Sequence, residues 1–352
     1  MILPTTHLAT LLLLALALIA LGSWANSQRF LAKNKWRFEL FYFDFAIGAA
    51  LAFILAAYTL GSINSQELTF QDNLLITGYR KMAESVASGF VFNLGNMMLV
   101  AAIALAGMAV GFPIMFGVAA FIGVIFSYAS QPQMNPVLMF GGGVVYLAAA
   151  VLCAFAYSRE SEEAIAKTQK AIRPDPRAKN APPMPVGAAR AIVLSVVAGI
   201  IIGLSRPLAD WAREGENGIS PYGIGILFGV GMLISTLFAA PFFINFPAIG
   251  APVRGADYFR GTKMQHLSGI FSGVLFAAGI LAAWVSLSAP SSVQAGSALT
   301  YAFTEGAAVL AAIWGLTLWK DLDGLANSKV LGFGSVALML IGIGLVFTAY
   351  SK

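Results

Sequence analysis

The residues with most chemistry to offer are a few charged and carboxamide side chains stranded inside long apolar runs. Glu305 stands about nine residues into the run 296–318, in YAFTEGAAVLAA, and a short carboxylate there cannot snorkel to water. A charge near a bilayer centre costs about 3 kcal/mol on insertion scales, so it must face a cavity or a partner. The chemistry open to Glu305 is proton coupling or solute binding, with a structural hydrogen bond to a neighbouring helix as the alternative. Asp44, in FYFDFAIGA, lies nearer the end of its run, at a cavity or at the cytosolic rim, and is the second proton-coupling candidate. Arg206, in GLSRPLAD, comes late in its run before Pro207, where it either snorkels to the interface or pairs with Glu305 or a solute carbonyl.

Asn93 and Asn96, in FNLGN, share a helix face at i, i+3 and flank Gly95, where a ligand can approach the backbone. Two carboxamides offer donors and acceptors together to a neutral polar solute; interhelical hydrogen bonding is the alternative. Trp24, Tyr42 and Tyr301 are placed to stack on a planar ring or sugar face, or to anchor at the interface, and anchoring suits Tyr222 better. Cys153 is the single cysteine, and His7 and His266 are the two histidines. Neither a disulfide nor a Cys/His zinc site can be assembled within one chain. No GxxxxGK[ST] loop and no Ser/His/Asp constellation occurs, so no cofactor and no enzyme activity are expected, and transport should run on a gradient.

These residues must be positioned by membrane helices. Of 352 residues 59% are hydrophobic and only 11% charged, far from the roughly 25% charged of a soluble domain. Apolar runs of about 20 residues can cross a ~30 Å hydrocarbon core. Ten are expected, at 5–27, 39–61, 85–109, 111–129, 136–157, 189–209, 220–244, 265–287, 296–318 and 329–350. The first, LLLLALALIALGSWANS, is read as a span rather than a signal peptide, since no Lys or Arg precedes it. A charged, proline-rich linker at 158–188 divides residues 1–157 from 189–352. Within it SEEAIAKTQKAI either forms a short surface helix or belongs to a solvated linker.

Five spans per half is an odd number, so the second copy enters from the opposite side. The expected fold is an all-α polytopic membrane protein of ten helices in two inverted five-helix repeats. Small-xxx-small pairs such as Gly107/Gly111, Gly199/Gly203 and Gly269/Gly273 suit close helix packing in lipid. Pro113 is expected to open the fourth span. Lys and Arg gather in the loops after odd-numbered spans, among them Arg29, Lys33, Lys35, Arg37, Arg159, Lys167, Arg254 and Arg260. That bias puts both termini outside and the 158–190 loop in the cytosol of, by expectation, a bacterial inner membrane.

The strings LGSWANSQRFLAKNKWRFELFYFDFAIGAALAFILAAYTLG and SGFVFNLGNMMLVAAIALAGMAVGFPIMFGVAAFIGVIFSY resemble the opening half of the ureide permease family and its sugar-uptake relatives, of the drug/metabolite transporter superfamily. The aromatic-Asp cluster and the FNLGN motif carry the likeness, and HLSGIFSGVLFAAGILAAWVS and TEGAAVLAAIWGLTLWKD extend it faintly. The resemblance implies the inverted 5+5 fold and proton-linked uptake of a small neutral polar solute such as allantoin, uracil or a monosaccharide. Two departures limit it. The nucleotide-binding-like motif of the plant members' central loop is absent, and Ala277, Ala278 and Gly279 stand where relatives often repeat an Asn-rich motif.

The leading expectation is a proton-coupled permease working by alternating access, with Glu305 and Asp44 for the proton and Asn93, Asn96, Trp24, Tyr42, Tyr301 and Arg206 for the solute. An exporter or exchanger of the same fold, and a non-transporting sensor or scaffold acting through the central loop, are the alternatives. The expected partners are a small solute, protons and the bilayer, with a homodimer allowed. Nucleic acid is excluded because the net charge of +5 is spread by membrane side and not gathered into a basic module.

Overall fold

The computed structural model describes residues 1–63, 68–172 and 187–351. The apolar runs are helical because a backbone in hydrocarbon must satisfy its own N–H and C=O groups. In chain order the helices are α1 (His7–Ser23), α2 (Asn26–Lys33), α3 (Phe38–Tyr58), α4 (Phe70–Ile76), α5 (Tyr79–Ala106), α6 (Met108–Ser130), α7 (Pro136–Ile172), α8 (Ala188–Arg213), α9 (Pro221–Asn245), α10 (Lys263–Leu287), α11 (Ser297–Thr317) and α12 (Ala326–Ser351). Among the described residues ten helical stretches are long and apolar enough to cross a membrane, with α1 and α2 together forming the first and α4 too short to count. No strand occurs among the described residues.

Local sequence sets the helix starts. Thr6 Oγ1 accepts the Ala9 N–H at 3.2 Å, and Ser220 Oγ accepts that of Gly223 at 3.2 Å just ahead of Pro221. Thr262 and Gln265 cap one another at the head of α10, and Asn135 Oδ1 accepts from Val137 and Leu138 at the head of α7. On α1 the exposed Leu8, Leu12, Leu16 and Ile19 form a stripe for lipid, while Leu14, Ala17 and Ala20 face inward. Lipid tails are as apolar as leucine, so the helices are held by close packing rather than by a hydrophobic drive.

That packing maps onto itself when the halves are exchanged. Helix α5 packs on α8 and α9, as α10 packs on α1 and α3; α6 packs on α7 and α8, as α11 packs on α12 and α1. The remaining large contacts, α3 on α9, α6 on α11 and α7 on α12, join counterparts directly. The correspondence reaches single residues. The Gly89 backbone abuts that of Phe228, and the Gly273 backbone abuts that of Phe45; Gly48 meets Ile270 as Gly231 meets Val86. Phe92 and Phe228 lie 5.4 Å apart by ring centroid, as do their counterparts Phe276 and Phe45, and Phe92 stacks on Phe276 at 5.3 Å. Both α6 and α11 start at a glycine held in a conformation that L side chains rarely adopt, Gly107 at φ +86° and Gly296 at φ +82°.

Two boundary expectations are corrected. Helix α7 does not stop at 157 but runs to Ile172, so SEEAIAKTQKAI continues the span and is not a separate surface helix. Its alternating charges, including the Glu163–Lys167 pair at 2.8 Å, support a helix beyond the apolar stretch. The prolines 174, 176, 182, 183 and 185 of the expected linker lie outside the described residues. Helix α6 begins at Met108, which puts Pro113 inside it rather than at its start. The missing Pro113 N–H frees the Ala109 carbonyl, which accepts from the Cys153 thiol at 3.2 Å instead.

Candidate solute-binding cavity

Between the two halves lies a cavity of about 290 Å³, walled by α1, α5, α6, α8, α9, α10 and α11. Much of its wall is aromatic: Trp24, Phe92, Phe112, Phe228, Phe276 and Trp284 border it. Trp24 is held edge-on by Phe112 and Phe276, at 6.3 and 6.1 Å by ring centroid. A second cavity, about 310 Å³, sits at the ends of α6 and α8 and the start of α11, with Ser130, Arg213, Ser297 and Tyr350 on its wall. It lies toward the face where the α12 C-terminus emerges.

The two cavities share Arg206, Asp210, Arg213, Leu287, Thr304 and Glu305. Arg206 Nη1 donates to Glu305 Oε1, with the Glu305 side chain 3% exposed and that of Arg206 40%. The ion pair stands where one space gives way to the other. A buried carboxylate with a single cationic partner and open volume on both sides can trade that partner for a proton or a solute donor, which a fully enclosed pair cannot do.

Asn96 borders the inner cavity and Asn93 does not. Asn93 Nδ2 donates to Met232 O at 3.0 Å, Ser235 Oγ at 2.6 Å and Thr236 Oγ1 at 2.9 Å, and Asn93 Oδ1 accepts from Tyr42 at 2.8 Å. Asn96 Nδ2 donates to the same Tyr42 hydroxyl at 3.0 Å. The network ties α3, α5 and α9 together behind the cavity wall.

The opposite end of the bundle, on the side of the α1–α3, α9–α10 and α11–α12 connections, is closed by contacts between the halves. Arg29 pairs with Asp321 at 2.5 Å, Asp321 Oδ2 accepts the Ala109 N–H at 3.2 Å, and Trp319 Nε1 donates to Asn26 Oδ1 at 2.6 Å. Burial pushes the Asp321 carboxyl above its ordinary range, opposed by Arg29. Close by on the same side, Asp44 Oδ1 accepts from Tyr258 at 2.6 Å, and His266 Nδ1 lies 2.9 Å from Asp44 Oδ2. Glycines 261 and 269 leave the room for this cluster, and the Trp36 ring stands edge-on to His266 at 5.6 Å.

Residues 41–182 match the family model described as ureide permease. Over that stretch the chain is similar to the ureide permease family. It is 28% identical over 156 residues to Ureide permease 2 of Arabidopsis thaliana, a match that covers 43% of this chain and spans 39% of that protein's length. With ten apolar helices beside the family match, the chain is an integral membrane protein. The matched stretch carries Tyr42, Asp44, Asn93 and Asn96; Arg206 and Glu305 lie beyond it.

Of the residues singled out from sequence, the structure brings Trp24, Asn96, Arg206 and Glu305 to the inner cavity and Arg206, Tyr301 and Glu305 to the outer one. Tyr301 is held there by a 2.6 Å hydrogen bond with the Tyr146 hydroxyl. Three of the candidates lie away from both cavities. Asn93 and Tyr42 are consumed by their own network and border neither cavity, and Asp44 borders neither because Tyr258 and His266 cover it. Sequence reading missed Asp210 and Arg213, which border both cavities near the end of α8, because their position in a helix end reads as interfacial. It also missed Ser88, whose hydroxyl donates across to the Ser205 carbonyl at 3.1 Å beside the cavity. Among the described residues no group of three or more His, Cys, Asp or Glu side chains is arranged to hold a metal ion.

Proposed function

We propose that the chain is a secondary transporter that carries a small neutral polar solute, of the ureide, nucleobase or monosaccharide class, together with protons. The observation that carries this reading is the Arg206–Glu305 pair at the junction of two cavities, one of them walled by aromatic rings. A planar or flat-faced solute stacks on those rings, while Asn96, Arg206 and Glu305 supply the directional polar contacts that such a site needs. A volume of about 290 Å³ stands at the small end of ligand pockets, which suits a single ring.

Glu305 is the proton site and Arg206 its counter-ion. When Glu305 takes up a proton the ion pair dissolves, and the guanidinium is released to a solute carbonyl. Arginine suits this task because its donors form a fixed fork that an oxygen acceptor can use. The reciprocal packing of the halves supports an inverted repeat, since five crossings per half reverse the sense of the second copy. Rocking of one half against the other then closes the space at the α12 C-terminal face and parts the Arg29–Asp321 and Asp44–His266 contacts at the other. The charge bias of the loops supports an outward-facing α12 C-terminal face.

Purified protein in liposomes tests the reading. Uptake of radiolabelled allantoin, uracil and glucose is followed with and without an inward proton gradient, beside empty liposomes. Accumulation of at least one solute above its equilibrium level, only with the gradient, is expected. Uptake indifferent to the gradient, or driven outward by solute alone, points to an exchanger and overturns proton coupling.

A further inference from the structure

The hydrogen-bond network behind the cavity fixes the polarity of the one carboxamide that faces it. The backbone carbonyl of Met232 can only accept. Ser235 and Thr236 both donate their hydroxyl hydrogens to that carbonyl, at 3.1 and 2.8 Å, so toward Asn93 they too can only accept. Asn93 must therefore turn Nδ2 to α9, where it lies within 3.0 Å of all three oxygens. Its Oδ1 is left facing Tyr42, an acceptor 2.8 Å from the phenol oxygen. The single Tyr42 hydrogen is spent there, so the Tyr42 oxygen can only accept from Asn96, which must present Nδ2 at 3.0 Å. Any flip along this chain sets two bare oxygens against each other in a buried site, which costs about 1–3 kcal/mol.

We propose that Asn96 Oδ1 is a specificity-determining acceptor on the α5 wall of the cavity, with Tyr42 and Asn93 as its positioning residues. The inference rests on the solute class of the preceding subsection and narrows it: the solute must bring an N–H or O–H to α5, as an unsubstituted ureide, imide or hydroxyl does. Asn96 with a free amide would accept either polarity. Locked, it excludes a carbonyl or an N-alkylated nitrogen at that point. Helix α10 stands in α5's place in the other half, and it carries Ala277 and Ile280 where α5 carries asparagines.

The test is competition binding to the purified protein with uracil, allantoin and glucose, each beside its fully N- or O-methylated counterpart. At least one parent compound should bind, and its methylated counterpart should bind about tenfold or more weakly, because it leaves the Asn96 oxygen unpaired. Tyr42→Phe, which does not border the cavity, should shrink that ratio to below about threefold by letting the Asn96 amide rotate, whereas plain steric exclusion of the methyl groups would leave it unchanged. Thr236→Val should keep the ratio, since Ser235 and Met232 still orient Asn93. Where Tyr42→Phe does not fold, Asn96→Leu replaces it and must likewise collapse the ratio. Equal binding of parent and methylated compounds by the unaltered protein, or a ratio that survives Tyr42→Phe or Asn96→Leu in folded protein, overturns the inference alone. Binding of none of the parents overturns the proposed solute class and the inference with it.

Discussion

Glu305 and Asp44 are both buried carboxylates on membrane helices, each with a basic partner, and the two sites could hardly be less alike. The Glu305 side chain is 3% exposed and that of Asp44 2%. Arg206, beside Glu305, borders two cavities, and so does Glu305 itself. His266 and Tyr258, beside Asp44, cover it, and glycines 261 and 269 let them close in. Burial therefore does not tell the two sites apart. What separates them is open volume next to the charge.

The comparison breaks first at Arg206. Arg206→Leu leaves Glu305 buried without its cation, which should cost about 3–5 kcal/mol in denaturant or thermal unfolding of the detergent-solubilised protein. A loss of less than about 1 kcal/mol would mean that Glu305 is already neutral or wet and is no partner of Arg206. The next effect concerns the frame that holds both sites. Gly89→Ala and Gly273→Ala each drive a methyl into a facing backbone carbonyl, that of Phe228 or Phe45, and each should cost about 1–3 kcal/mol. Because the two positions are counterparts, their losses should be similar. A large loss at one and none at the other would count against equivalent halves.

The smallest effect belongs to Asp44. Asp44→Asn keeps an acceptor for Tyr258, so stability should fall by about 1 kcal/mol and initial uptake should change less than about threefold. Abolished proton-driven uptake with intact folding would move the proton site to Asp44 and reverse the comparison.

The spans were legible in the sequence because hydrocarbon thickness and backbone satisfaction leave few choices for a run of twenty apolar residues. Glu305 and Arg206 were legible for a related reason, since charges inside such runs are costly enough to need an explanation. The Asp44 site was not. Its partners His266 and Tyr258 lie more than two hundred residues away, and nothing local in FYFDFAIGA separates a covered carboxylate from one facing a cavity. Asn93 and Asn96 show the limit most clearly. Their spacing gave them one face, but which of them borders the cavity depends on Tyr42, Ser235 and Thr236 arriving from two other helices. The extension of α7 to Ile172 is not legible in hydropathy, which marks only where the apolar run ends; continuity of the helix beyond it rests on charged residues at i, i+4, which sustain a helix in water.

The most direct test of the central claim is Glu305→Gln in liposomes under an imposed proton gradient. Glutamine keeps the size and an acceptor for Arg206 but cannot take up a proton. Concentrative uptake should fall to the equilibrium level, while gradient-independent exchange of labelled for unlabelled solute persists. Undiminished proton-driven accumulation by the folded variant would contradict the account.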